Sequence, residues 1–140
     1  MNDRCRLPSL YEFLAKATLK RRVDDGLAHL RDALTLADQT GDLRCRAECL
    51  QDLCYAHLMD GRLDQAIDDG RRALDVAETS GFTDIAENCH YLLGELGSRS
   101  GRLDMRDQHF GALQQLHPEV PFLREFLCTV DVTDVITLKR

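Results

Sequence analysis

Cysteine and histidine are the residue types in this chain whose chemistry could support a metal site or a nucleophile. The chain contains six cysteines and five histidines: Cys5, Cys45, Cys49, Cys54, Cys89, Cys128, His29, His57, His90, His109 and His117. Cys45 and Cys49 stand four residues apart, which would place two thiols on one face of a helix. A zinc site needs a third and a fourth ligand, and the chain has no Cys-x-x-Cys pair. We therefore interpret the cysteines as small apolar residues of a core, and we predict no metal and no other cofactor.

The other residues that could do chemistry do not form a catalytic motif. No histidine has both a nearby serine or cysteine and an acidic partner in a recognisable nucleophile pattern. The glycines are isolated, so the chain lacks the glycine-rich loop that binds phosphate groups. The sequence therefore predicts a protein that is not an enzyme.

Composition narrows the class of protein further. The chain has 140 residues, of which 44% are hydrophobic and 30% are charged, as expected of one globular unit. The formal net charge of −6 argues against a nucleic-acid partner, because such binding depends on Lys and Arg at phosphates. No apolar run is long enough for a membrane span or follows the N-terminus as a secretion signal would. We expect no membrane partner and a cytoplasmic protein with reduced thiols.

The strongest pattern in the chain is a repeat of 40 residues. The run at residues 61–64, Gly-Arg-Leu-Asp, recurs at residues 101–104, and a related run stands at residues 21–24. Gly41 recurs in the same way as Gly81. A fixed period of this size predicts stacked helical hairpins. Apolar spacing and these glycines predict helices at about residues 10–19, 24–37, 49–58, 64–80, 84–98 and 104–116.

The repeat resembles the tetratricopeptide repeat family, in its long variety. In the second copy the bulky, small and turn positions of that family are matched by Leu50, Leu53, Cys54, Gly61, Ala66 and Ala73. The resemblance implies an all-α fold, a right-handed α-solenoid of three hairpins at about residues 2–41, 42–81 and 82–118, with a cap and tail at residues 119–140. Arg106 stands where the family has a small residue, and Gly97 replaces a large aromatic one. The third hairpin is therefore expected to be the loosest.

The resemblance also implies a binding surface, because in this family the first helix of each hairpin lines a concave groove. Transferring the groove positions to this chain gives Tyr11, Glu12, Glu48, Gln51, Asp52, Tyr55, Asn88, Tyr91, Glu95 and Arg99. All three tyrosines of the chain are in this set, and tyrosine is enriched at interaction surfaces. The alternative is that the tyrosines are half-buried packing residues. The four carboxylates would make the groove acidic and would favour a basic partner.

Three functions follow from this interpretation. The first is a non-enzymatic adaptor or scaffold that binds a basic or amphipathic peptide or helix of another protein in the groove. The second is a regulatory domain that senses a small ligand or a peptide. The third is a scaffold that assembles through its own tail.

The C-terminal segment departs from the repeat after Pro118. Residues 121–127 predict a short amphipathic helix that caps the third hairpin. Residues 129–138 are rich in β-branched side chains and favour an extended strand. Such a strand could pair with the same tail of a second subunit, lie along a groove, or become helical through tertiary packing. An apolar edge favours association, so we expect self-association through this tail or the end faces and predict a homodimer.

Overall fold

A computed structural model describes residues 23–134, and within this range the chain is helical and contains no β-strand. The elements are α1 (Val23–Thr40), α2 (Leu43–Met59), α3 (Leu63–Ser80), α4 (Thr83–Ser100), α5 (Leu103–Leu116), α6 (Leu123–Leu127) and a 3-10 turn at Val132–Asp134. The prediction of an all-α chain is confirmed for these residues. The helix predicted at residues 10–19 lies outside the described range.

The four turns between consecutive helices from α1 to α5 share one backbone feature. Each contains a glycine in the left-handed conformation, with φ between 70° and 77°: Gly41, Gly61, Gly81 and Gly101. A larger side chain would be strained at this φ, whereas glycine is not. In three of these turns the residue after the glycine donates its N–H to the carbonyl five residues earlier, as Phe82 does to Ala77 at 2.8 Å. Links this short make consecutive helices antiparallel.

The hydrophobic core is divided along the chain. Each of the helices α1 to α5 packs mainly on its neighbours in sequence, and α2 also packs on α4. One cluster joins α1 to α2 and contains Leu30 and Leu53. A larger cluster joins α2, α3, α4 and α5 and contains Leu58, Ile67 and Leu96. Each helix therefore depends on its neighbours to bury its apolar side chains.

Small residues lie where neighbouring helices approach closely. Ala66 and Ala73 of α3 are fully buried, as the repeat pattern predicts. In α4, a Cβ added at Gly97 would lie 2.5 Å from the main-chain nitrogen of Arg106 in α5. The glycine on α4 thus allows the close approach that Arg106 was expected to prevent. The expectation of a loose third hairpin is therefore wrong at this crossing.

The cysteines behave as core residues at only some positions. Cys49, Cys54 and Cys89 are buried, as predicted. Burial raises the pKa of the Cys89 thiol to about 12, and it raises the pKa of Cys54 well above its ordinary value. The prediction is wrong for Cys128, which is exposed. Cys45 is buried as predicted, but it is disulfide-bonded, so the expectation of a reduced thiol is wrong at this position. A disulfide is more common in oxidising compartments, so Cys45 lends no support to the expected cytoplasmic location.

The C-terminal segment confirms one prediction and contradicts another. The short helix predicted at residues 121–127 is present as α6. The strand predicted at residues 129–138 is wrong where the structure describes it, because Val132–Asp134 form a 3-10 turn. Val132 has 1% of its surface exposed and belongs to one apolar cluster with Phe110 and Leu113. Burial of this side chain outweighs the local preference of β-branched residues for extended structure.

Candidate functional site

The part of the predicted groove on α2 is buried. Glu48, Gln51 and Asp52 have 8%, 1% and 2% of their surfaces exposed, and Tyr55 is half-buried. The carboxylate of Glu48 lies 3.3 Å from a guanidinium nitrogen of Arg44. The expectation of an exposed acidic wall is therefore wrong for the two carboxylates of this helix. Two further groove positions lie outside the described residues: Tyr11 and Glu12.

The part of the predicted groove on α4 is more accessible. Asn88 and Tyr91 are half-buried, Glu95 is buried, and Arg99 is exposed. The four positions follow one another at intervals of three or four residues, which places them on one face of the helix. The structure therefore brings together the α4 residues of the predicted site.

Glu95 and Arg99 hold the chain's own C-terminal segment. Glu95 Oε1 accepts the main-chain N–H of Val132 at 3.2 Å, and Arg99 Nε donates to Glu95 Oε2 at 2.8 Å. A second guanidinium nitrogen of Arg99 lies 3.2 and 3.1 Å from the two carboxylate oxygens of Asp131. The hydrogen bond to Glu95 is the main cause that raises the pKa of Arg99. One guanidinium thus bridges a buried carboxylate and an exposed one.

The side chain that follows Asp131 fills an apolar recess. Val132 belongs to a cluster whose other members come from α4, α5 and α6: Tyr91, Phe110, Leu113, Leu123 and Leu127. The Asp131 carboxylate also accepts the main-chain N–H of Thr133 at 3.0 Å and its hydroxyl at 2.6 Å. The hydroxyl contact is the main cause that lowers the pKa of Asp131. Residues 131 and 132 are therefore held by a hydrogen bond, an ion pair and apolar packing.

A second surface feature is a cleft of about 620 Å³ between α3, α4 and the C-terminal end of α5. Its polar lining includes Glu78, Glu87, His90 and His117. Glu87 forms an ion pair with His117, and this contact is the main cause that raises the pKa of His117. The cleft lies outside the predicted groove, and nothing in the repeat pattern indicated it.

A pair of histidines lies at the junction of α4 and α5. The Nδ1 atoms of His90 and His109 are 3.0 Å apart, so the N–H of one ring donates a hydrogen bond to the nitrogen of the other. Burial lowers the pKa of both rings, and it lowers the pKa of His109 to about 4, with smaller contributions from His90 and Arg71. The two rings are 19 residues apart in sequence, so their contact was not evident before the fold was known.

A buried polar pair joins α2 to α3. His57 Nδ1 lies 2.6 Å from Asp69 Oδ2, and both residues are buried. The other ring nitrogen, Nε2, has no hydrogen-bond partner within residues 23–134. A histidine that activates a side-chain nucleophile would need a hydroxyl or thiol at this atom, and none is hydrogen-bonded there in the described part of the chain. The hydrogen bond between His57 and Asp69 therefore connects α2 to α3.

The described residues contain neither a membrane-spanning helix nor a metal-binding cluster. No helix there is both long enough and apolar enough to cross a membrane. No group of three or more His, Cys, Asp or Glu side chains in residues 23–134 is arranged so that it could hold a metal ion.

Comparison with protein-family models, curated proteins and solved structures finds no match to this chain. The resemblance to the tetratricopeptide repeat family therefore stays a prediction from the sequence. Any statement about function has to rest on the contacts described above.

Proposed function

We propose that the chain is a non-enzymatic protein-interaction module, a right-handed solenoid of three helical hairpins whose α2 and α4 face binds polypeptide. The order of helix contacts supports the solenoid, since neighbours in sequence pack together and α2 reaches α4 across the hairpins. The four glycine turns support it as well, because links with similar backbone angles repeat a similar helix geometry.

The observation that carries the function is the way α4 holds residues 131 and 132. Glu95 binds a main-chain N–H, Arg99 binds a side-chain carboxylate, and Tyr91 packs in the cluster around Val132. Each of these contacts is of a kind that another polypeptide could make. The face that the sequence singled out is therefore suited to binding polypeptide.

The expected partner is less basic than the sequence suggested. The argument for a basic peptide rested on exposed carboxylates, but Glu48 and Asp52 are buried, and Glu95 is paired with Arg99. A carboxylate whose charge is neutralised by its own ion pair exerts little steering on a distant ligand. An amphipathic segment, which offers apolar as well as polar groups, fits the exposed parts of the face better.

Selection from a random peptide display library tests the proposal. We expect peptides that bind the whole chain and lose binding in the double variant Tyr55→Ala and Tyr91→Ala, whose helicity is checked by circular dichroism. Asp75→Ala is the matched control, because Asp75 is exposed on α3, away from the predicted groove. Failure to enrich any peptide, or equal binding by the tyrosine variant, would refute the assignment.

A second candidate function is a sensor of small ligands, and the cleft between α3, α4 and α5 favours it. A volume of about 620 Å³ is within the range of pockets that bind small molecules. Screening metabolites by thermal shift separates the two functions. A ligand whose effect is lost in Glu87→Ala and kept in Tyr91→Ala would favour the sensor.

A further inference from the structure

We propose that Glu95, Arg99 and the recess around Phe110 form a site for an acidic residue followed by a β-branched apolar residue, which the chain's own Asp131 and Val132 occupy. The inference rests on the proposed function and deepens it by naming the ligand. In the absence of a partner, the tail is the resident ligand, and a partner segment of the same chemistry replaces it.

The first argument concerns Glu95. Its carboxylate is buried, and it is satisfied by Arg99 on one oxygen and by the main-chain N–H of Val132 on the other. If the tail leaves, a buried oxygen loses its donor, which is unfavourable unless another donor replaces it. An extended peptide always carries a main-chain N–H. The buried carboxylate therefore favours a polypeptide ligand over an apolar one.

The second argument concerns charge. Arg99 uses Nε for Glu95 and a second guanidinium nitrogen for both carboxylate oxygens of Asp131, so one positive charge serves the buried carboxylate and the ligand. A guanidinium is suited to bind a carboxylate with several donors. An Asp or Glu side chain of the partner could take the place of Asp131, whereas a lysine would meet a positive charge.

The third argument concerns the apolar recess. Val132 is almost fully buried in a cluster with Phe110, Leu113 and Tyr91. A β-branched side chain has few rotamers to lose on burial, so it fills a recess of fixed shape at low entropic cost. A glycine at this ligand position would leave the recess empty, and a charged residue would be buried without a partner.

The link between the tail and the rest of the chain makes the tail a strong competitor. A tethered ligand acts at an effective concentration in the millimolar range when its linker is short. A free peptide should therefore bind the native chain weakly and bind a chain with a displaced tail more tightly. The site is in this sense closed by its own C-terminal segment until a partner competes for it.

The test uses the full chain with Val132→Asp, which should displace the tail because an Asp carboxylate is disfavoured in the apolar recess. The probe is a fluorescein-labelled peptide of residues 129–134, followed by fluorescence anisotropy. We expect the variant to bind this peptide at least about tenfold more tightly than the native chain does. Two changes should abolish binding: Arg99→Glu added to the variant, and a Lys in place of Asp131 in the peptide.

Each outcome decides the proposal. A folded Val132→Asp chain that does not bind the peptide, or that binds both peptides equally, overturns it. If this variant fails to fold, Asp131→Ala takes its place, because Asp131 is exposed and its loss removes the contacts with Arg99 and Thr133 but no side chain of the apolar cluster. Tighter peptide binding by that variant supports the proposal, and unchanged binding refutes it. If library peptides bind the tyrosine face while the peptide of residues 129–134 does not, the further inference fails and the proposed function stands.

Discussion

Substitution of Gly97 by alanine tests the packing of α4 on α5. A Cβ at this position would lie 2.5 Å from the Arg106 nitrogen, 2.9 Å from the Arg102 oxygen and 3.0 Å from the Arg106 Cα. These atoms belong to the main chain, so no side-chain rotation can relieve the overlap. Gly111 of α5 is the matched control, because a Cβ there would meet nothing within 4 Å.

The size of the effect follows from two opposing terms. Ordinary contact begins near 3.4 Å, so α4 and α5 would have to separate by about 1 Å, which sacrifices a quarter to a half of their dispersion energy. Overpacking of this kind costs about 3 kcal/mol, and the gain in helix propensity from glycine to alanine returns about 1 kcal/mol. We expect Gly97→Ala to lower the free energy of unfolding by about 2 kcal/mol. Gly111→Ala should raise it by about 1 kcal/mol.

Thermal and urea unfolding, followed by helical circular dichroism, measure both variants. For a chain of this length, 1 kcal/mol corresponds to about 4 °C in Tm. Gly97→Ala should therefore melt about 8 °C below the native chain, and Gly111→Ala about 4 °C above it. If Gly97→Ala is as stable as the native chain while Gly111→Ala gains stability, α4 and α5 do not approach as described.

Three further predictions concern pH, backbone strain and ion pairs. The pKa of His109 is lowered to about 4 in the folded chain, whereas the unfolded ring protonates near pH 6.5. The neutral ring therefore contributes its full share to the free energy of unfolding above about pH 6.5, and this share is lost as the pH falls toward about 4. After allowance for solvent screening, we expect the free energy of unfolding measured in urea to fall by about 2 kcal/mol over this pH range. His109→Phe should remove this pH dependence. An unchanged pH profile in that variant would contradict the assignment. Phe122 has φ of 60° and 76% of its surface exposed, so Phe122→Gly should raise stability by about 1 kcal/mol in thermal melts, whereas Phe122→Ala should not. Asp69→Ala should lower the free energy of unfolding by about 3 kcal/mol, because it leaves the buried His57 ring without its partner. Asp84→Ala breaks an exposed pair with Arg44 and should lower it by less than about 0.5 kcal/mol. If urea unfolding shows that both variants lose the same stability, burial does not determine how much each ion pair stabilises the fold.

The helices and their turns could be predicted because their causes are local. A glycine at the end of each apolar period adopts the left-handed φ whatever surrounds it, and so residues 61, 81 and 101 mark the ends of helices correctly. The small residues of α3 were found for a similar reason, since Ala66 and Ala73 repeat at fixed positions in a helical period. Local patterns of this kind can be interpreted without knowing which helices pack against each other.

The site was less predictable because burial depends on partners that the repeat pattern does not name. Glu48 and Asp52 were expected on an exposed wall, yet α2 is packed from several sides and both side chains are buried. The contact between His90 and His109 depends on how α4 crosses α5, and no spacing within one helix reports it. Gly97 misled the prediction because a small residue on either helix is sufficient for a close approach.

The C-terminal segment both covers the end of the last hairpin and occupies the proposed binding site. In the proposed solenoid, a further hairpin would place its first helix against both α4 and α5. The described chain covers the same two helices with two elements, because α6 contacts α5 and the 3-10 turn contacts α4. Displacement of the turn by a partner would therefore uncover the apolar cluster that contains Phe110 and Leu113, unless the partner fills it.

This coupling has a consequence for self-association. The homodimer that the sequence predicts was expected to form through the β-branched tail or the end faces, but Val132 of the tail is buried within its own chain. Tail pairing between subunits would first require the loss of the Glu95 and Arg99 contacts. Association through the uncovered apolar cluster should therefore increase in Val132→Asp, and light scattering can measure it. A partner segment that supplies an acidic and a β-branched residue would suppress that association, because it occupies the site and covers the cluster at the same time.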